Sequence, residues 1–477
     1  MALDRKSTNS VRKTRTNPSD WSALVPVLPA AGRRTPALYR ELRRLIEAGD
    51  VPPGSKLPPT RDLAARLKTS RGSVVAAFEI LVAEGYAVAR PGAGTFVADR
   101  VPQVRPAAAA DAAEPQAPAM PLPGTLGVAV ADGRTLALFR RLVARHLARP
   151  GPEHFHYGDP RGGLRLREAI AAYLRQARGV RCEARSIVVT TGTQQGLDLF
   201  IRAALAPGDP VLVEDPCYPS ARAAFAGAGL RLSGLAVDAE GADIGGAPPD
   251  ARAVYVTPSH QFPLGVTMSM RRRLALLDWA RATGGFIVED DYDSEFRYAG
   301  PPLAAMQGMD DGGRVVYLGT FSKVLFPGLR LGYAVLPDPL LAAVTALRAR
   351  TDRSPPTLAE AALADLLDEG HFAAHLRRAR RRMQAARDAL VAGLSASREL
   401  AVTVPDQGLH LVVGLPADLA DTAAAALARE VGLGARALSA MAVTEGPRQG
   451  LVVGFSGFAP EVLQAAAARF AAGVARR

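Results

Sequence analysis

The chain carries 58 lysines and arginines, yet only five of them are lysine: Lys6, Lys13, Lys56, Lys68 and Lys323. Between residue 69 and residue 477, one side chain bears a primary amine. Arginine cannot condense with an aldehyde, whereas a lysine of lowered pKa can, so Lys323 is a candidate covalent anchor for a carbonyl compound. It ends the string Thr320-Phe321-Ser322-Lys323 behind an apolar run at 315–319, and Arg330 follows seven residues later. Other chemistry-bearing groups stand at the ends of similar runs. Ile287-Val288-Glu289-Asp290 continues into Asp291-Tyr292, a carboxylate and a phenol. The run at 187–191 leads into Gly192-Thr193-Gln194-Gln195-Gly196 and a helical stretch, whose first N–H groups are free to hold a phosphate. Asp215-Pro216-Cys217-Tyr218-Pro219 offers a ring for stacking. Amine, carboxylate, phosphate cradle, arginine and aromatic plane are together what pyridoxal phosphate requires of a protein.

These groups need elements to position them. Short apolar runs at 187–191, 211–214, 253–257, 286–290 and 315–319, bounded by Gly and Pro, alternate with Ala/Leu/Arg helical segments. The pattern predicts a large, mostly parallel sheet covered on both faces, with ligands at the carboxyl ends of its strands. From about residue 340 an Arg-rich helical stretch leads to runs at 400–414 and 450–455, read as strands of a smaller α+β lobe. The basic run Arg377-Arg378 to Arg380-Arg381-Arg382 reads as a solvated helix face rather than a DNA contact. With 477 residues and 48% of them hydrophobic, the chain has material for several domains with large cores. No apolar run approaches the roughly 18 residues of a membrane span. Two cysteines, Cys182 and Cys217, form no metal or redox motif, and their scarcity fits a cytoplasmic protein.

Of the net charge of +12, +9 falls in residues 1–105, so one end of the chain is suited to polyanions. Residues 1–32 read as a basic, flexible arm. A first helix then places Leu38, Leu42, Leu45 and Ile46 inward and stops at Gly49. A second, with Thr60 expected as its N-cap, turns Leu63, Ala64 and Leu67 inward. After Lys68-Thr69-Ser70 a third turns in Val74, Val75, Phe78, Leu81 and Val82, with Arg71 and Ser73 at its N-terminus. Two helices joined by so short a turn predict a helix-turn-helix whose second helix enters the major groove. The segment 86–97 reads as a hairpin wing around Pro91-Gly92-Ala93-Gly94, with Arg90 at its base. Residues 99–124, rich in Pro and Ala, read as an extended linker.

Residues 33–98 resemble the GntR-type winged helix-turn-helix through Leu57-Pro58-Pro59-Thr60-Arg61-Asp62-Leu63-Ala64, Ser70-Arg71-Gly72-Ser73-Val74 and Glu84-Gly85 to Gly92-Ala93-Gly94-Thr95-Phe96-Val97. The resemblance implies that Arg61 and Arg71 touch double-stranded DNA, supported by Ser73 and the wing Gly94. Residues 125–477 resemble the fold-type I, aspartate-aminotransferase-like proteins through the strings above, Tyr157-Gly158-Asp159-Pro160, and Pro327-Gly328-Leu329-Arg330-Leu331-Gly332. A GntR module linked to such a domain is similar to the MocR-type regulators. The resemblance then implies a Schiff base at Lys323, Asp290 on the pyridinium nitrogen, Tyr292 on the ring oxygen and Tyr218 stacked on the ring. It implies a phosphate held by Gly192, Thr193, Gln194, Thr320 and Arg330, with Tyr157 reaching across from a second subunit of a head-to-tail homodimer.

Two departures stand out. Where the aminotransferases carry the Asn of Asn-Pro-x-Gly, this chain has Phe262 within Ser259-His260-Gln261-Phe262-Pro263, and whether His260 or Gln261 substitutes stays open. Where they carry the arginine that clamps a substrate carboxylate, it has Gly450, with Arg448 two residues away. Loss of that clamp argues against turnover of ordinary amino acids. The expectation is a pyridoxal-phosphate-dependent transcriptional regulator that senses a small amine or amino acid by aldimine exchange. A regulator of vitamin B6 synthesis sensing the cofactor itself and a working aminotransferase with a DNA-binding domain remain alternatives.

Overall fold

The computed structural model describes residues 26, 34–101, 120–300, 303–444, 446 and 448–477, the side chain of residue 153 excepted. The arm at 1–32, Pro26 apart, and linker residues 102–119 lie outside the described residues. The chain divides into two compact units, Met1–Pro118 and Ala119–Arg477.

In the first unit, α1 (Arg34–Glu47), α2 (Thr60–Arg66) and α3 (Arg71–Ala83) precede an antiparallel hairpin of β1 (Ala87–Arg90) and β2 (Gly94–Val97). Leu38, Leu42, Leu45, Ile46, Leu63, Val74, Phe78 and Leu81 form its core with Tyr86 and Val97. Ser70 caps α3 by accepting from the Ser73 N–H at 3.1 Å. Thr60, by contrast, is the first helical residue of α2, because the extended Pro59 before it occupies the cap position. Val82 is exposed and Val75 half-buried, since the inward face of α3 runs through 74, 77, 78 and 81.

In the second unit the elements follow in the order α4 (Gly133–Ala148), α5 (Leu164–Arg178), β3 (Ile187–Thr190), α6 (Thr193–Ala204), β4 (Pro210–Asp215), α7 (Pro219–Gly227), β5 (Arg231–Asp238) and β6 (Gly241–Ala242). Next come β7 (Ala253–Val256), α8 (Met270–Thr283), β8 (Phe286–Asp291), β9 (Val315–Thr320), β10 (Gly332–Val335), α9 (Asp338–Thr351), α10 (Thr357–Asp368) and α11 (His371–Leu394). The last are β11 (Ala401–Val402), β12 (His410–Gly414), α12 (Asp421–Glu430), β13 (Ala435–Ala437), β14 (Leu451–Gly454) and α13 (Pro460–Val474). An eight-stranded sheet runs β3-β10-β9-β8-β7-β4-β5-β6. Neighbours from β9 to β5 are parallel, while β10 is antiparallel to both β3 and β9. Alternation along β7 explains the two covered faces. Ala253 and Tyr255 pack with Phe200 and Phe225 on one side, and Val254 and Val256 with Leu276 and Leu277 on the other.

A second, antiparallel sheet has the order β11-β12-β14-β13. The chain entering the unit is tied to it, with Gly434 N–H donating to Pro123 O at 2.6 Å and Gly454 N–H to Gly124 O at 2.7 Å. Three arginines of the basic run in α11 are engaged within the unit: Arg378 donates to Asp132 at 2.9 Å, Arg380 to Glu295 O at 2.6 Å and Arg382 to Val130 O at 3.1 Å. Among the described residues no helix is long and apolar enough to cross a membrane.

Candidate functional site

The parallel strands end at a cavity of about 260 Å³ in the second unit. β8 delivers Asp290 to it and the following residue pair adds Tyr292; β9 ends at Thr320, and the turn after it brings Ser322 and Lys323. Gly192, Thr193 and Gln194 open α6 against the same space, and Tyr218 and Arg330 complete it. Of the cofactor residues expected from sequence, only Tyr157 stands away from this cavity. It is 75% exposed, and the Arg353 guanidinium lies 4.4 Å from its ring centroid.

At one end the first N–H groups of α6 lack helical acceptors, as in any helix start. Gly192 has φ +107°, which lets the backbone turn there, and the Arg330 guanidinium lies within 3.6–3.8 Å of where its Cβ would be. Arg330 itself sits in the left-handed region at φ +52°. Among the described residues it has no carboxylate partner. A helix N-terminus beside an unpaired guanidinium is an anion cradle.

At the other end Asp290 is buried, and Tyr255 donates to its Oδ2 at 2.6 Å while its Oδ1 has no hydrogen-bond partner. Burial, aided by Asp291, raises its pKa to about 6 against the opposing Tyr255 hydrogen bond. A buried carboxylate with one oxygen occupied and one free fits a cationic N–H such as a protonated pyridine. Burial pulls the Lys323 ammonium below its ordinary pKa; Asp293 and Asp290 oppose this, and Arg436 adds to it. The shift enlarges the neutral, nucleophilic fraction of the amine. Gly127, at φ +75°, makes room for it, since a Cβ there would stand 2.6 Å from Lys323 Nζ. The residues present therefore fit pyridoxal phosphate: cradle, carboxylate, amine and the Tyr218 ring share one space.

Neither His260 nor Gln261 lines the cavity. Gln261 is spent on Glu214, Pro216 O and Phe262 O, beside a Glu214 carboxyl that burial pushes up to about 7. His260 bonds Asp293 through Nδ1 at 3.0 Å, and Tyr292 donates to His260 O at 3.0 Å. Phe262 takes the wall instead, edge-on to Tyr218 at 5.5 Å between centroids. Arg448 does not replace the missing clamp, because it donates to Val237 O at 2.6 Å and lines a different pocket. Gly450 is buried against Val412, Val413 and Leu438.

Among the wall residues that sequence reasoning missed are Tyr255, His410, Arg436, Leu126 and Gly127. Tyr255 lies within a recognised run, and only the alternation of β7 reveals which way its hydroxyl faces. His410 and Arg436 come from the smaller sheet, whose register no local pattern foretold; Leu126 and Gly127 fall just after the linker. His410 donates to Pro263 O at 3.0 Å, and burial lowers its pKa to about 3, so it stays neutral.

Gly408 carries a test of this wall. Its φ is +82° and a Cβ would overlap the His260 ring, which is buried and held by Asp293. Gly408→Ala is expected to destabilise the second unit by about 2 kcal/mol or more, measured as a lower urea midpoint, and to disturb Tyr292 through His260.

In the first unit Arg61, Arg71 and Gly94 are exposed, and neither arginine has a protein partner among the described residues. Ser73 is half-buried, with its Oγ 2.9 Å from Ser70 Oγ, and the Arg90 guanidinium lies 4.7 Å from the Phe96 ring centroid. Two free cations at the starts of α2 and α3, with a basic wing, form a surface suited to DNA phosphates and base edges.

Comparison with known proteins agrees with both units. Residues 35–97 match the family of bacterial regulatory proteins, gntR family, and residues 130–470 match aminotransferase class I and II, whose members depend on pyridoxal phosphate. The chain is 36% identical over 450 residues to the probable rhizopine catabolism regulatory protein MocR of Rhizobium meliloti, covering 90% of this chain and 91% of that one. It is 34% identical over 431 residues to the pyridoxine biosynthesis transcriptional regulator PdxR of Corynebacterium glutamicum, covering 90% and 93%. The crystal structure of Pyrococcus horikoshii kynurenine aminotransferase matches 74% of this chain and 91% of its own with a TM-score of 0.68 and 26% identity. A DNA-binding module and an aminotransferase fold in one chain, matched almost end to end by such regulators, mean that the chain belongs to the aminotransferase class I and II family as one of its MocR-type, gntR-fused transcriptional regulators.

Proposed function

We propose that the second unit of this regulator binds pyridoxal phosphate at Lys323 and senses a primary amine there, and that the first unit reads an operator through Arg61, Arg71, Ser73, Arg90 and Gly94. The observation that carries the reading is the meeting of Lys323, the free Oδ1 of Asp290 and the Arg330 cradle in one cavity. When bound, the cofactor supplies an aldehyde carbon for which Lys323 and an effector amine compete. The chain's own groups do the rest. Asp290 holds a proton on the ring nitrogen, with Tyr255 fixing its other oxygen. The α6 N-terminus, Thr193, Gln194, Thr320 and Arg330 hold the phosphate, and Tyr218 covers the ring. Lys323, partly stripped of water, takes or gives a proton at Nζ as its neighbours change. An effector that prefers one arrangement of these groups biases the DNA-binding state only by its differential affinity.

The division into arm (1–32), winged helix (33–98), linker (99–124) and aminotransferase-like domain (125–477) belongs to the same proposal, as does a head-to-tail pair of copies. Phe155, Tyr157, Leu147 and Leu164 support the pairing, since each is more than half exposed on one stretch of chain.

The test uses the full-length protein and a duplex selected by it from random sequences. Arg71→Ala is expected to weaken binding at least about tenfold while leaving the cofactor's absorbance in place. Equal DNA affinity of the variant rejects the assignment of α3. Release of the duplex by added amine supports amine sensing. Release by pyridoxal phosphate alone, with no response to amines, favours cofactor sensing instead.

A further inference from the structure

We infer that His260 is a positioning residue: fixed by Asp293, its Nδ1 holds the Tyr292 hydroxyl where that hydroxyl can serve the ring oxygen of the cofactor. The inference deepens the proposed binding of pyridoxal phosphate and rests on it.

The argument follows one hydrogen. A phenol has a single hydrogen to give, and Tyr292 gives it to His260 O at 3.0 Å. The Tyr292 oxygen also stands 3.0 Å from His260 Nδ1, which in turn lies 3.0 and 3.2 Å from the two oxygens of Asp293. An ionised carboxylate only accepts, so Nδ1 carries a hydrogen whether the imidazole is neutral or charged. That hydrogen faces the Tyr292 oxygen as well as Asp293. A hydroxyl that accepts on one side is a stronger donor on the other. The Tyr292 hydrogen is free to turn about its C–O bond, with His260 O as one station and a ring oxygen in the cavity that Tyr292 lines as the other. Nδ1 holds the oxygen atom in both.

The surroundings keep this geometry. The side chains of His260 and Asp293 are 1% and 0% exposed, and Asp293 also accepts from the Leu409 N–H at 3.2 Å. The His410 ring lies 4.8 Å from that of His260 between centroids. His260 Nε2 has no hydrogen-bond partner, so the side chain acts through Nδ1 alone. Burial, with Asp293, Asp290, Glu214 and Asp291 adding to it, lifts the Tyr292 phenol well above its ordinary pKa, so the hydroxyl keeps the hydrogen it must donate.

The experiment uses full-length protein loaded with pyridoxal phosphate. It compares His260→Asn, whose amide nitrogen takes the place of Nδ1, with His260→Gln, whose amide nitrogen reaches the place of Nε2. Both replacements are uncharged, so Asp290, Asp293, Glu214, Asp291, Lys323, Arg436 and the neutral His410 act equally on the two. A donor at the ring oxygen stabilises its negative charge most when the nitrogen joined to the aldehyde carbon has lost its proton. Tyr292→Phe should therefore raise the pH midpoint of the cofactor's absorbance change by about one unit and weaken cofactor binding about 3- to 10-fold. His260→Gln should reproduce most of both effects and His260→Asn little of either. In a Tyr292→Phe background His260→Gln should add nothing. A role confined to packing would treat Asn and Gln alike. Equal behaviour of the two, an effect of Gln that persists without the Tyr292 hydroxyl, or wild-type values in Tyr292→Phe each overturn the inference while cofactor binding stands. If His260→Gln does not hold the cofactor, His260→Asn decides alone, and a midpoint displaced as far as that of Tyr292→Phe overturns the inference. If the wild type takes up no cofactor, the cofactor-binding proposal itself fails, and this inference with it.

Discussion

Replacing Lys323 with alanine is expected to abolish all covalent attachment of pyridoxal phosphate to this chain. In most proteins such a claim is blurred by other lysines, but here the remaining four are Lys6, Lys13, Lys56 and Lys68, all in the first 68 residues. Borohydride treatment of the cofactor-loaded wild type, followed by peptide mass analysis, should put the cofactor's mass on the peptide containing Lys323 and nowhere else. The variant should show none. Lys323→Arg sharpens the result, because it keeps a cation in the cavity but cannot condense with an aldehyde. Non-covalent binding through the α6 cradle and Asp290 should survive in both variants at reduced affinity. Modified peptides from the first unit in the wild type would remove Lys323 from the proposed role.

The same lysine shows why some of this molecule was readable from sequence. A chain that uses arginine almost everywhere isolates its one amine beyond residue 68, and the strand ends bearing Asp290 and Gly192 are marked by continuous apolar runs. All five such runs are strands of the large sheet, since a strand buried on both faces cannot alternate. β5 and β10 escaped. β5 carries a glycine and alternates in burial, and β10 is four residues long inside a glycine-rich stretch. The walls contributed by the smaller sheet were illegible for a different reason. Arg436 sits in a three-residue strand with no periodicity to mark it, and it reaches the cavity through pairing with a strand that follows it in sequence. Likewise nothing local in Ser259-His260-Gln261-Phe262 says that Gln261 will be spent on Glu214 and His260 on Asp293, so which of the three faces the cavity was decided by long-range contacts.

Asp290→Asn is expected to act in opposite directions on the empty and the loaded protein. In the empty protein the carboxyl titrates at about 6 rather than its ordinary 3.8, mainly because burial penalises the charge. The folded state thus holds a proton that the unfolded chain has already lost. Stability is therefore highest below about pH 4 as far as this group is concerned, and falls as pH rises to about 6, by about 3 kcal/mol in all. An amide carries no charge to bury. At pH 7.5, without cofactor, Asp290→Asn should be the more stable protein, and its advantage should shrink as pH falls below 6. Binding reverses the order. A protonated ring nitrogen at Oδ1 favours the ionised carboxylate, so wild-type affinity for pyridoxal phosphate should be flat above about pH 6 and decline below it. The variant lacks that contribution and should bind about 100-fold more weakly at neutral pH. Melting curves with and without cofactor at pH 5 and 7.5 measure both effects. A variant less stable than wild type when empty, yet equal to it in affinity, would mean that Asp290 serves the fold through Tyr255 rather than the cofactor.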